Sequence, residues 1–283
     1  MANLEHLALL QNGAVKWIEW RRKNREIEPD LSEANLRGVN LRGAILTGAN
    51  LRRADLCNSL LIAANLSDAN LSDANLQSAS LSEANLSEAN LSIANLSKAN
   101  LSDADLGDAN LIGADLRGAN LRRANLTNAN LIGTDLRSAN LHKADLGAAK
   151  LARTNLSEAN LMAANLIAVD LSNANLHDAE LLGAYLYKAD LHKANLIEAH
   201  FNGAYLFRAN LSEANLTQAD FRWANLSKAN LTGANLNKAN LRGANLSGAN
   251  LSGANLTEAN LTGTNLTRTI LQRAMMPDGT IHP

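Results

Sequence analysis

Residues Ala84–Lys98 read ANLSE ANLSI ANLSK, three copies of one five-residue unit. The unit recurs in both directions. From Leu31 to Leu271 a large apolar residue stands at every fifth position without a break, which makes 49 successive repeats. Alanine stands two places before it in nearly every repeat, and asparagine or aspartate stands directly before it. A period this strict decides the architecture ahead of every other feature.

Neither straight element can bury such a pattern. In an α-helix five residues advance about 500°, a net rotation of about 140°, so successive leucines spiral around the axis. In a flat strand the faces alternate with period two, and an odd period sends successive leucines to opposite sides. The pattern closes only if the backbone bends once per repeat. Leucine and the alanine two places before it then both point inward along a short extended edge, with alanine where the interior is crowded. The other three positions face outward and are variable and polar. A hydrophobic pillar inside a polar coil is a solenoid, in which each coil touches only its neighbours.

The Ala-(Asn/Asp)-Leu-x-x unit resembles the signature of pentapeptide-repeat proteins, and the resemblance spans Leu31 to Leu271. It implies an all-β solenoid, a right-handed quadrilateral parallel β-helix with four repeats per coil. About twelve coils would follow, rising about 58 Å at about 4.8 Å between stacked strands. Leu31, Leu71, Leu111, Leu151, Phe201, Phe221 and Leu271 would belong to its core. The spacing of unusual residues agrees with four-sided coiling. Tyr185 lies one such coil before Tyr205, Tyr187 before Phe207, and Phe201 before Phe221. Asp68, Glu88 and Asp108 form one column, and Lys188, Arg208 and Lys228 form another.

Three domains are expected: an N-terminal helical cap over 1–29, the β-helix over 30–274, and a C-terminal turn over 275–283. An open solenoid exposes strand edges and core at both ends, so caps are required. Leu4, Leu7 and Leu10 suggest one short helix face, and Asn12-Gly13 breaks it. Val15, Trp17, Ile18 and Trp20 sit in a second helix ending in Arg21, Arg22 and Lys23, a favourable charge placement at a helix C-terminus. Pro29 releases the chain into the first coil. A segment like Val15–Arg22 resembles those preceding the repeats in cyanobacterial members of the family. At the other end, Pro277-Asp278-Gly279 is a turn signal, after which Ile281 could fold back over the last coil. The apolar terminus leaves a monomer or an end-to-end homodimer as the expected states.

Lys and Arg number 26 against 27 Asp and Glu, so no global charge points to nucleic acid or membrane. A lone cysteine, Cys57, fits a reducing compartment, and no leader or bilayer-spanning apolar run is evident. A cytoplasmic protein is expected. His142, His177, His192 and His200 lack metal-ligand spacing. No phosphate loop or catalytic grouping appears, so neither enzyme activity nor a cofactor is expected.

Departures from the repeat carry the functional reading. Every Tyr and Phe lies between Tyr185 and Phe221, and Trp223 follows. Phe201 and Phe221 occupy the inward position. Tyr185, Tyr187, Tyr205, Phe207 and Trp223 occupy outward positions, bordered by Lys188, Arg208 and Lys228. An exposed aromatic region flanked by cations is typical of protein interfaces. A non-enzymatic scaffold that binds an unidentified protein on its outer wall is therefore the leading expectation. Two alternatives use the carboxylate columns: Asp68, Glu88 and Asp108, with Glu83 and Asp103 beside them. One is DNA mimicry toward DNA gyrase, which the family resemblance suggests. The other is divalent-cation binding.

Overall fold

The computed structural model describes residues 2–283; Met1, the first residue of the expected cap, lies outside them. Two helices come first, α1 (Leu4–Gln11) and α2 (Ala14–Lys23). From Asp30 onward the chain is a right-handed β-helix of single-residue parallel bridges, each joining residue i to residue i+20. It divides into two compact units, Met1–Asn140 and Leu141–Pro283. Each unit has four sides in the twenty-residue register. The first side carries Leu31, Leu51 and their successors, the second Leu36 and Leu56, the third Leu41 and Leu61, the fourth Leu46 and Leu66.

One repeat shows why the sequence coils. In Ala84–Glu88 the N–H of Asn85 donates back to Ala64 O (2.9 Å), while Leu86 and Glu88 donate forward to Asp105 O and Gly107 O (2.6 and 2.9 Å). The N–H of Ala84 closes a turn onto Leu81 O at 3.1 Å. The remaining donor, Ser87 N–H, goes to the Asn85 side chain at 2.9 Å. All five amides are thus paired, which is what a buried ladder demands. Asparagine is needed because its short side chain can reach the amide two residues on. Its Nδ2 also bonds the Asx oxygen one coil earlier, as from Asn110 to Asn90 at 3.2 Å and from Asn125 to Asp105 at 2.7 Å. The asparagine is therefore half-buried in a ladder of its own and does not simply face outward.

The leucine and alanine columns form the core, with the every-fifth-position leucines from Leu31 to Leu256 at most 1 % exposed. Leu31, Leu71, Leu111, Leu151, Phe201 and Phe221 all lie in it. Leu271 does not: it is half-buried, like Leu261 and Leu266, because no further coil covers it. The ladder itself runs on to Met275, which bridges Asn255 and pairs antiparallel with Ile281. The fold-back bonds Arg273 N–H to His282 O and His282 N–H to Ala274 O. Ile281 stays exposed, so the returning tail leaves the pillar's end open.

The residue two places after each leucine is left-handed whatever its identity. Glu83, Asp103, Ile93 and Trp223 have φ between 59° and 61°. Glycine adopts this φ freely, whereas other residues lose roughly 1 kcal/mol. The β-branched Ile93 is exposed and strained there. Ile93→Gly is expected to raise the unfolding free energy by up to about 0.5 kcal/mol, the strain relieved less the larger chain entropy of glycine. Urea denaturation measures this; a loss of stability would show that packing of Ile93 on Gly113 outweighs the backbone strain.

The N-terminal helices meet the first coil through specific donors and acceptors. In that coil the carbonyl of Asp30 accepts from Asn3 N–H at 2.9 Å, and its N–H donates to His6 Nδ1 at 3.1 Å. Trp17 Nε1–H donates to Ile45 O at 2.9 Å, and Arg21 to Thr47 O at 3.2 Å. His6, Leu10, Trp17 and Arg21 are buried, and burial pulls the Arg21 pKa down. Of the faces that the apolar spacing marks, Leu10 and Trp17 are buried, whereas Leu4 and Val15 are exposed.

Candidate functional site

The aromatic interval lies in the second unit, spread over two adjoining sides. On the fourth side Tyr185 precedes Leu186 and Tyr187 follows it; one coil on, Tyr205 and Phe207 flank Leu206. Stacking is close: Tyr185 and Tyr205 have ring centroids 5.1 Å apart at 4°, and Tyr187 and Phe207 5.8 Å apart at 9°. Inside, Phe201 and Phe221 stack at 4.7 Å beneath the third side. Coil pitch makes each pair, because equal residues in register are held one strand spacing apart.

Exposure separates these rings. Tyr185 and Tyr205 are 48 % and 49 % exposed and Trp223 is 68 % exposed. Tyr187 and Phe207 are only half-buried positions, correcting the expectation of five open rings. Their faces are shielded by cations from the corner column: Lys188 Nζ lies 5.2 Å from the Tyr187 centroid, with Arg208 and Lys228 at 5.3 and 5.8 Å from Phe207. Such contacts hold long side chains over the rings and contribute about 0.5–1 kcal/mol each at exposed sites. Trp223 stands on the third side's corner, apart from the Tyr187 column. Its ring lies over Gly243, where an added Cβ would come within 2.4 Å of it. Ile167 belongs to the fourth side, whereas Met162 and Leu182 belong to the third and Ile197 to the second.

Below Trp223 the third side holds a shallow groove of about 480 Å³, lined by Glu180, Leu182, His200, Asn202, Asp220, Arg222 and Trp223. His200 and Glu180 replace ladder asparagines and approach to 3.2 Å. Burial pushes the Asp220 carboxyl up, but hydrogen bonds from Arg222 and Asn202 outweigh it and hold the pKa below the usual range. Exposed aromatic positions alone do not mark this groove, although Glu180 and His200 break the Asn column legibly.

The carboxylates of the first unit fall into two classes. Arg123 forks onto Asp103 at 2.6 and 2.7 Å, and this hydrogen bonding lowers the Asp103 pKa. Asp115 and Asp135, stacked in one ladder, are clasped by Arg117 and Arg137 at 2.6 Å each. Asp68, Glu88 and Asp108 are exposed. Among the described residues no cation lies within ion-pair distance of those three, and no group of three or more His, Cys, Asp or Glu is placed to hold a metal ion. Cys57 is buried, not outward as its position suggests. Among the described residues no helix is long and apolar enough to cross a membrane.

The profile for pentapeptide repeats, in 8 copies, matches residues 30–61, 64–103, 104–142, 139–178, 164–203, 204–243 and 234–273. The chain belongs to the pentapeptide-repeat family. It is similar to HetL, a pentapeptide repeat protein involved in heterocyst differentiation regulation in the cyanobacterium Nostoc sp. strain PCC 7120. Identity to HetL is 33 % over 94 % of this chain and 98 % of HetL, with a TM-score of 0.39. Rfr23 from the cyanobacterium Cyanothece 51142 is 43 % identical over 36 % of this chain and 63 % of its own, with a TM-score of 0.21. QnrB1, a plasmid-mediated fluoroquinolone resistance protein, is 18 % identical over 66 % of this chain and 83 % of its own, with a TM-score of 0.34. No curated protein matches the sequence significantly. In pentapeptide-repeat terms, the aromatic interval alters the ladder position before leucine and the two positions after it. The leucine column keeps its spacing throughout.

Proposed function

We propose that this pentapeptide-repeat protein is a non-enzymatic interaction scaffold whose partner contacts the aromatic interval of the second unit. The observation that carries this reading is the clustering of the exposed rings Tyr185, Tyr205 and Trp223 within one stretch of the second unit. Aromatic rings flanked by cations supply large contact area at low entropy cost, the composition enriched at interface centres. Tyr187 and Phe207, with Lys188 and Arg208, form the flank of that contact. Regular ladders fix these side chains before binding, which reduces the ordering cost of association.

Gyrase binding through DNA mimicry is not proposed. A DNA-like surface requires a long row of free carboxylates, whereas Asp103, Asp115 and Asp135 are held by arginines. The test is affinity capture with the wild type and with a variant carrying Tyr187→Ser, Phe207→Ser and Trp223→Ser. The variant is expected to keep its β-helical circular dichroism and to lose the captured protein at least about 100-fold. Equal capture by both would overturn the reading.

A further inference from the structure

The seam between α2 and the first coil holds a cavity of about 300 Å³, lined by Arg21, Arg22, Arg25, Ile45 and Thr47. It lies wholly within the first unit. Three guanidinium groups line it, and among the described residues no carboxylate is within ion-pair distance of any of them. The helix dipole accounts for cations in the last turn of α2, but Arg25 stands beyond that turn. Arg22 and Arg25 are exposed, whereas Arg21 is 6 % exposed. Arg21 donates to the carbonyls of Asn24, Ile27 and Thr47, which fix its plane. Its buried Nε–H still finds no acceptor in the protein. A buried charge that meets only neutral carbonyls is costly, and an anion beside it offsets that cost.

The coil contributes a second departure. Ile45 stands at the ladder position that Asn65 and Asn85 occupy one and two coils on. Those asparagines accept from Ser67 N–H at 3.0 Å and from Ser87 N–H at 2.9 Å. Further along the same column, Thr127 Oγ1–H also donates to Asn125 at 2.8 Å. Isoleucine has no oxygen to offer, so Thr47 N–H and Thr47 Oγ1–H have no acceptor among the described residues. The cavity is therefore lined by two unpaired guanidinium forks, a third held behind them, and a free backbone donor. Such a donor set, with no carboxylate competing for it, suits a tetrahedral oxyanion.

We propose that this cavity binds a phosphate group, held by Arg22, Arg25 and Thr47 N–H, with Arg21 fixed behind them. A phosphate dianion matches the two exposed guanidinium groups in charge. The cavity's volume is at the lower end of the range for small-ligand sites, roughly 300–1,000 Å³. It leaves room beside Ile45 for the apolar part of a phosphate ester. The site is separate from the aromatic interval and stands or falls without it.

The experiment is titration of the full chain at constant ionic strength, read by calorimetry and by the NMR shifts of Thr47 N–H and the arginine Nε–H groups. Inorganic phosphate is the probe in one arm and phenyl phosphate in the other, with sodium acetate and sodium chloride as controls. Both phosphates are expected to shift Thr47, Arg22 and Arg25 saturably, with dissociation constants on the order of 1 mM or tighter. Tighter binding of phenyl phosphate identifies a phosphorylated small molecule as the source, and equal binding identifies free phosphate. Arg22→Gln with Arg25→Gln is expected to weaken binding at least about 30-fold. Both side chains are exposed, and circular dichroism is expected to be unchanged. Ile45→Asn restores the ordinary ladder residue and occupies Thr47 N–H, so it is expected to keep the fold and weaken binding roughly threefold to tenfold. No saturable shift by about 20 mM phosphate overturns the proposal. So do equal shifts with acetate or chloride, unchanged affinity in the double arginine variant, or unchanged affinity in Ile45→Asn.

Discussion

Phe221→Ala is expected to lower the unfolding free energy by about 3–5 kcal/mol, the range for emptying a buried aromatic site. Phe221 is fully buried and stacks on Phe201 at 4.7 Å and 7°. Removing one ring forfeits its own transfer free energy and also strips a face from the other. The backbone cannot close the gap, because Phe221 N–H is tied to Asn240 O at 2.8 Å and Ala224 N–H to Phe221 O at 3.0 Å. The loss should be local, since a solenoid's stability is a sum of nearest-neighbour coil contacts. Amide exchange is therefore expected to quicken most at Phe201, Phe221 and Leu241, with residues of the first unit unchanged. Phe221→Leu restores the ordinary repeat and is expected to cost less than half as much, leaving a smaller void above Phe201. Urea denaturation with site-resolved exchange measures both. A uniform rise in exchange along the chain would contradict the nearest-neighbour account.

The period of five carries most of the fold. An odd period that neither helix nor strand can bury leaves a bend per repeat, and the inward leucine and alanine follow from it. The pairing of Tyr185 with Tyr205 and Phe201 with Phe221 was readable as well, because equal outliers twenty residues apart mark adjoining coils. The left-handed corner was less legible. Glycine is frequent there, but Glu83, Lys98 and Trp223 adopt the same φ. The ladder holds that φ, since the corner N–H of Glu83 donates to Ser102 O at 3.0 Å. Composition alone gives no reason for a tryptophan in αL.

The candidate site was legible as a stretch and not as a surface. Sequence order places Trp223 with the tyrosines, yet its corner belongs to the third side and its ring rests on Gly243. The cue was present as a glycine twenty residues beyond the tryptophan. The half-burial of Tyr187 and Phe207 depends on which way Lys188, Arg208 and Lys228 lean, which is a rotamer question that spacing does not address. Leu271 fits the period fully and still fails to be buried, because burial in a stack requires a next coil as well as an inward position.

At the first coil, Trp17→Ala is expected to be the second large effect. Leucine amides of each coil point forward, as Leu31 N–H does toward Asn50 O at 2.8 Å, so the first coil presents unpaired carbonyls on its leading edge. Trp17 answers one of them, Ile45 O, and is itself fully buried between that edge and Trp20, whose ring centroid lies 5.3 Å away. Alanine there is expected to cost about 3–5 kcal/mol of local stability, combining lost burial with an orphaned carbonyl. Trp17→Phe keeps most of the burial and loses the donor, so about 1–2 kcal/mol is expected. The tail at the opposite end predicts the contrast. Ile281 is exposed and shields no core leucine, so Ile281→Ala should change stability by less than about 0.5 kcal/mol. Exchange at Leu31 and Leu46 reads the cap directly, because both amides bond only to the second coil. Unchanged protection there after Trp17→Ala would mean that the first coil stands without its helices, and that the edge is guarded by its own charged side chains instead.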